Sequence, residues 1–167
     1  MTRGDAAIAT PRESTGRWLS RWMVGVGVVY VALAVNLGSV VVFPDRVYQF
    51  YPTYDAPRHS VAAAVSVDLA LMFALGIGVV GAFLLWASRR PDAYAGLVPL
   101  VLALEVVRGI VHDVYLLVVR TYIVDPVYYG FIVLHLLVVA TGVVVYRGRD
   151  RSRRYRDREI DPADGGA

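Results

Sequence analysis

The 167-residue sequence contains no cysteine. That excludes a disulfide framework, a thiolate metal site, a cysteine nucleophile and a lipoprotein anchor, and leaves the redox compartment open. Lysine is absent too, so all 17 basic residues are arginine. Charge is scarce, at 19% of residues against 57% hydrophobic, and a mean hydropathy of +0.53 is too apolar for an ordinary soluble domain of this length. Familiar catalytic patterns are also missing: there is no Ser-His-Asp arrangement, phosphate loop or dinucleotide fingerprint. A di-iron carboxylate bundle would need Glu-x-x-His pairs, but Glu105 is followed three residues on by Arg108, whose charge would repel a metal.

What the chain does have is long apolar runs. Four of them, Trp22–Phe43, Val61–Ala87, Ala93–Val119 and Val127–Tyr146, reach or exceed the ~20 residues that cross a bilayer core as helix. The expected fold is an all-α integral membrane protein, an antiparallel four-helix transmembrane bundle, because connections this short join antiparallel neighbours. A basic tail over 1–17 and an Arg-rich tail over 147–167 are expected to be disordered, with the transmembrane domain over 18–146 between them.

Arginine sets the orientation. Arg3, Arg12, Arg17 and Arg21 precede the first run, Arg89 and Arg90 separate the second from the third, and seven arginines from Arg147 to Arg158 follow the fourth. Only Arg46, Arg58 and Arg120 lie on the other side, which predicts a multi-pass cell-membrane protein with both termini cytoplasmic. The first run also has a signal-peptide character, with Ala32-Leu33-Ala34 after a ten-residue apolar stretch, but it continues to Phe43 as a span would. A net charge of +3 and a pI of 9.3 do not point to nucleic acid, because the excess is concentrated just beyond a span. Anionic lipid headgroups are the expected partner of the tail, at roughly 1 kcal/mol per arginine near the surface. A homo-oligomer or a membrane partner is left open.

Within the second run, Ala62, Ser66, Ala70, Ala74, Gly78 and Ala82 recur every four residues, a small-residue series that lets another helix approach. Asp68 lies about 160° round from Ser66 and needs a different neighbour. The third run is the most informative. It carries Glu105, Arg108, His112 and Asp113, and ionisable groups in hydrocarbon cost several kcal/mol each unless paired or hydrated. At ~100° per residue Glu105, Arg108 and His112 share an arc of about 60°, with Asp113 about 80° from Glu105. Glu105 and Arg108, at i and i+3, are placed to pair along the helix.

Depth brings in a further residue. Asp68, His112 and Asp113 fall about 10 Å, and His135 about 12 Å, from the outer ends of their helices. If those helices face one another, the four converge above Glu105 and Arg108 as a proton relay, a divalent metal site or a ligand cradle open to the outside. Bis-histidine haem would need His112 and His135 across a porphyrin-wide cleft, which the sequence does not indicate. No cofactor or metal is expected. In the outer loop Pro44–Ser60, Tyr48, Phe50, Tyr51, Tyr54 and His59 read as interfacial anchors rather than a lid, and Asp125-Pro126 as an N-cap and first-turn proline.

The stretch Glu105-Val-Val-Arg108-Gly109-Ile-Val-His112-Asp113-Val-Tyr115, with Tyr129-Gly-Phe-Ile-Val-Leu-His135 through Gly142, resembles the BphX-like family of small bacterial and archaeal four-span membrane proteins. The resemblance covers roughly the second half of the chain. It implies the four-span fold, an association with aromatic-degradation gene clusters, and importance for Glu105, Arg108, Asp113 and His135 without assigning a reaction. A role for His112 gains nothing from it.

Taken with the polar stripe, these features predict a non-enzymatic membrane protein whose intramembrane network organises the bundle or binds a partner or small ligand. The alternatives are a small proton-linked carrier using Asp68, His112, Asp113 and His135 as titrating groups, and a membrane metal or haem protein.

Overall fold

The computed structural model describes residues 11–50, 54–119 and 127–160, and every regular element among them is helical. Helix α1 is Pro11–Gly38, followed by 3-10 turns at Ser39–Val41 and Pro44–Arg46 and the short α2, Val47–Phe50. Helix α3 is Val61–Ala87, α4 is Leu97–Leu104, α5 is Val111–Val119 and α6 is Val127–Ile160. Between α4 and α5 a π-helical segment, Glu105–Ile110, carries the chain on without a break.

Helix α3 occupies the boundaries its apolar run predicts, opened by Ser60, whose Oγ accepts from the Ala63 amide at 3.2 Å. Stretches Gly16–Val41, Val61–Ala87 and Tyr128–Arg151 are long and apolar enough to cross a membrane. The third run is helical as well, but the π segment divides it into pieces of 8, 6 and 9 residues. Large apolar side chains lie on the outside, including Val35, Met72, Val118 and Val144 at 70% exposure or more, as a lipid-facing surface requires.

The described parts of the two flanking segments, 11–17 and 147–160, are helical. Helix α1, described from Pro11, seats Leu19 and Met23 fully inside the core. At the other end α6 continues through the Arg-rich stretch to Ile160. Nothing there breaks a helix except Gly148, and Arg149 is buried, with Nε 3.2 Å from Asp92 Oδ1 and Nη2 donating to the Asp92 carbonyl at 2.9 Å. The stretch 147–160 is helical, and Arg149 binds Asp92 in the α3–α4 connection.

Helices α1 and α3 form the closest packed pair. A Cβ on Gly27 would stand 2.9 Å from the Gly81 carbonyl, one on Gly81 would stand 2.8 Å from Tyr30 Cβ, and one on Gly78 would stand 3.1 Å from Ala34 Cβ. Ser20 Oγ donates to the Ser88 carbonyl at 2.8 Å, so contacts descend α3 as they climb α1. The expected four-residue series is only partly in this contact. Ala74 is buried and Gly78 half-buried, but Ala62 and Ala82 are exposed while Ala63 and Gly81 are buried. A strict four-residue step drifts about 40° each time, so over twenty residues it leaves any single face. Against this pair pack α4, whose Val98 and Val101 are buried, and α6, where Trp22 Nε1 donates to Thr141 Oγ1 at 3.1 Å. A Cβ on Gly142 would stand 2.7 Å from Leu102 Cδ2, so the Leu102 side chain of α4 packs onto the α6 backbone there.

Candidate functional site

The site begins with the π segment. Hydrogen bonds closing at i→i+5 place one residue more in the turn than an α-helix does. Removing one ~100° step from the eight residues between Glu105 and Asp113 brings them from about 80° apart to about 20°. The buried positions are accordingly Glu105, Gly109 and Asp113, while Arg108 and His112, expected on one arc with Glu105, are turned away from them. Arg108 is half-buried and the His112 side chain is 58% exposed.

Two carboxylates thus enter the helix interface, where α1 and α6 meet them. Tyr30 of α1 donates its hydroxyl to Glu105 Oε1, and His135 Nδ1 of α6 is bonded to Glu105 Oε2. Gly109 makes this second contact sterically allowed: a Cβ there would lie 2.6 Å from His135 Nδ1 and 2.7 Å from both Cγ and Cε1. The carboxylate accepts and so fixes the proton of a neutral imidazole on Nδ1, leaving a lone pair on Nε2. Nε2 faces Asp113 Oδ2 at 3.6 Å, too long for a hydrogen bond, and Oδ2 has no hydrogen-bond partner among the described residues. Asp113 itself is only 5% exposed. Its other oxygen, Oδ1, lies 3.3 Å from His112 Nδ1.

Arg108 does not pair with Glu105, contrary to the i, i+3 expectation, because the wider π turn swings it toward α3. There Nη2 donates to the Phe73 carbonyl at 3.3 Å and the guanidinium carbon sits 3.8 Å over the Phe73 ring centroid. A carbonyl dipole and a ring face both attract a desolvated cation.

These groups line one side of a cavity of about 470 Å³. The rest of its wall is largely apolar, with Leu33, Leu37, Ile77, Val80, Leu104 and Phe131, and Asn36, Gln49 and Tyr128 toward the loop end. Of the residues proposed from sequence, Glu105, Arg108, His112, Asp113 and His135 all reach this cavity. Asp68 does not: it is exposed on α3 and stands apart from the cluster. Tyr30 and Phe73 were not singled out from the sequence, and Gly109 entered only within the stretch that carries the family resemblance. Tyr30 had a signal, being the one tyrosine inside the first apolar run. The loop aromatics pack largely on themselves, with Tyr48 and Tyr54 ring centroids 5.4 Å apart and Arg58 over Tyr48 at 5.5 Å, while Gln49 alone of the described loop residues lines the cavity. Tyr51, Asp125 and Pro126 lie outside the described residues.

Chemically the cluster is a chain of donors and acceptors at the edge of an apolar chamber. It is poorly suited to a metal, since both Glu105 oxygens are engaged, and among the described residues no group of three or more His, Asp or Glu is arranged to hold one.

No solved structure matches the chain. An "Uncharacterized BphX-like protein" of Burkholderia cepacia is 26% identical over 130 residues, covering 75% of this chain and 88% of the relative. A second protein of that description, from Paraburkholderia xenovorans strain LB400, matches with the same identity and coverage. The profile of the BphX-like family spans residues 17–151, which takes in all four apolar runs and every residue of the cavity wall, and the chain belongs to that family.

Proposed function

We propose that this chain is a non-enzymatic multi-pass membrane protein with four spans, antiparallel neighbours and cytoplasmic termini, whose intramembrane cavity binds a small, mostly apolar ligand. The observation that carries this reading is the pairing of an apolar chamber with a buried carboxylate oxygen that has no hydrogen-bond partner among the described residues. Leaving such a group unmatched costs roughly 1–3 kcal/mol, which a ligand donor would recover. A chamber of this volume falls within the ~300–1,000 Å³ typical of small-molecule sites. Reading the third run as the fourth span is supported by Glu105, whose carboxylate is bonded internally by Tyr30 and His135 and so costs less to bury. The arginine-rich end of α6 and Arg89 and Arg90 supply the positive charge that holds the termini inside.

The test is thermal unfolding in nanodiscs against a panel of small amphiphiles. A saturable rise in Tm is expected for the wild type and not for Leu104→Trp, which fills the chamber. Equal behaviour of the two proteins refutes a ligand chamber.

The run from Glu105 through His135 and Asp113 to the exposed His112 favours a second reading, a proton-linked carrier with this chain as its relay. It requires proton flux in vesicles that is lost in Asp113→Asn and in His135→Ala.

A further inference from the structure

Resting on the ligand-chamber reading, we infer that the ligand is a lipophilic amine, bound in its protonated form with an N–H donating to Asp113 Oδ2. The first ground is the atom itself. Asp113 is buried, lines the cavity, and has one oxygen without a hydrogen-bond partner among the described residues. His135 Nε2 stands 3.6 Å away, beyond hydrogen-bond distance, and in the neutral ring with its proton on Nδ1 it presents only a lone pair to Oδ2. A group that approaches Oδ2 must therefore bring its own proton.

Charge is the second ground. Glu105 and Asp113 contribute two negative charges to the cavity wall and Arg108 one positive. One more positive charge closes the count. An ammonium at Asp113 supplies it where His135 and His112, which also lines the wall with Nδ1 3.3 Å from Asp113 Oδ1, are neutral. A hydroxyl ligand would satisfy the acceptor and leave the charge unmatched. A carboxylate would add to the excess. Arg108 does not compete for Asp113, because its guanidinium is engaged on the α3 wall by the Phe73 carbonyl and ring. Phe131 and Tyr128 add ring faces to the wall, and Leu33, Leu37 and Ile77 offer an apolar bed for the body of the amine.

Equilibrium binding to nanodisc-embedded protein, with empty nanodiscs as the blank, tests this with four probes of equal chain length: n-octylamine, 1-octanol, octanoate and n-octane. The expected result is octylamine roughly tenfold or more tighter than octanol or octane, as a charge-assisted hydrogen bond implies. In Asp113→Asn the amine should fall to the level of the alcohol. If that variant does not insert, the ranking of the four probes on wild type decides alone. Octane or octanol matching octylamine would overturn the amine assignment while leaving the chamber standing. Octanoate binding tightest would show that Arg108 reads an anion, which also overturns it. No probe binding above the blank would refute the chamber itself, and the amine with it.

Discussion

The imidazole of His135 lies against the backbone of Gly109 so closely that a methyl group there would stand 2.6 Å from Nδ1. No other residue fits beneath the ring, which is bonded to Glu105 and stands between it and Asp113. Gly109→Ala should therefore destabilise by ~1–3 kcal/mol, the usual cost of overpacking. Gly130→Ala is the control, because a Cβ there meets nothing within 4 Å and helix propensity alone predicts a gain of ~0.5–1 kcal/mol. Reversible unfolding in mixed micelles gives both values, and their opposite signs are the prediction.

Tyr30 and Glu105 should be energetically coupled across the α1 interface. Tyr30→Phe removes the donor from a buried carboxylate oxygen and should cost ~1–3 kcal/mol. In a double-mutant cycle with Glu105→Gln the interaction energy should reach ~0.5 kcal/mol or more. Additive effects would mean that the hydroxyl and carboxylate do not meet.

Exchanging the charges of Glu105 and Arg108 should not preserve the protein. Were the two an i, i+3 ion pair, Glu105→Arg with Arg108→Glu would restore it. With Glu105 bonded to Tyr30 and His135, and Arg108 held by Phe73, the exchange breaks both sets of contacts. Yield of folded protein by size-exclusion chromatography should be no better for the double variant than for either single change.

How far the sequence could be read depended on which regularity governed each residue. The limits of α3 were legible, because an apolar run flanked by Ser60 and by Arg89 and Arg90 leaves little choice. So were four of the residues that meet, Glu105, Asp113, His135 and Arg108, since charge inside an apolar run marks itself. The angular relation among them was not legible. It assumed ~100° per residue, and the π segment adds a residue to the turn, putting Asp113 inside and turning Arg108 to α3. Asp68 was placed by depth alone, and depth does not specify the face of the helix. The roles of Tyr30 and Gly109 were hidden for another reason: a lone tyrosine in an apolar run and a glycine after an arginine can be noticed, but neither shows which partner it serves.

The proposed topology can be mapped on a clean background, because the chain has no native cysteine. Asp55→Cys and Ala93→Cys occupy exposed positions in connections at opposite ends of α3. A membrane-impermeant thiol reagent applied to intact cells should label the first, and the second only after permeabilisation. The reverse pattern would invert the orientation, and labelling of both from outside would refute the membrane-spanning arrangement.

The account's central claim is that a small ligand lies inside the helices, against the Glu105–His135–Asp113 cluster, and photo-crosslinking tests it most directly. A diazirine-bearing 1-octanol, irradiated with the protein in nanodiscs and mapped by peptide mass spectrometry, should attach to cavity residues such as Leu33, Ile77, Leu104 and Phe131. Excess unlabelled 1-octanol should suppress that attachment. Insertion spread instead over the outward-facing Val79, Leu100 and Val118, and insensitive to competitor, would show a molecule dissolved in lipid and would contradict the account.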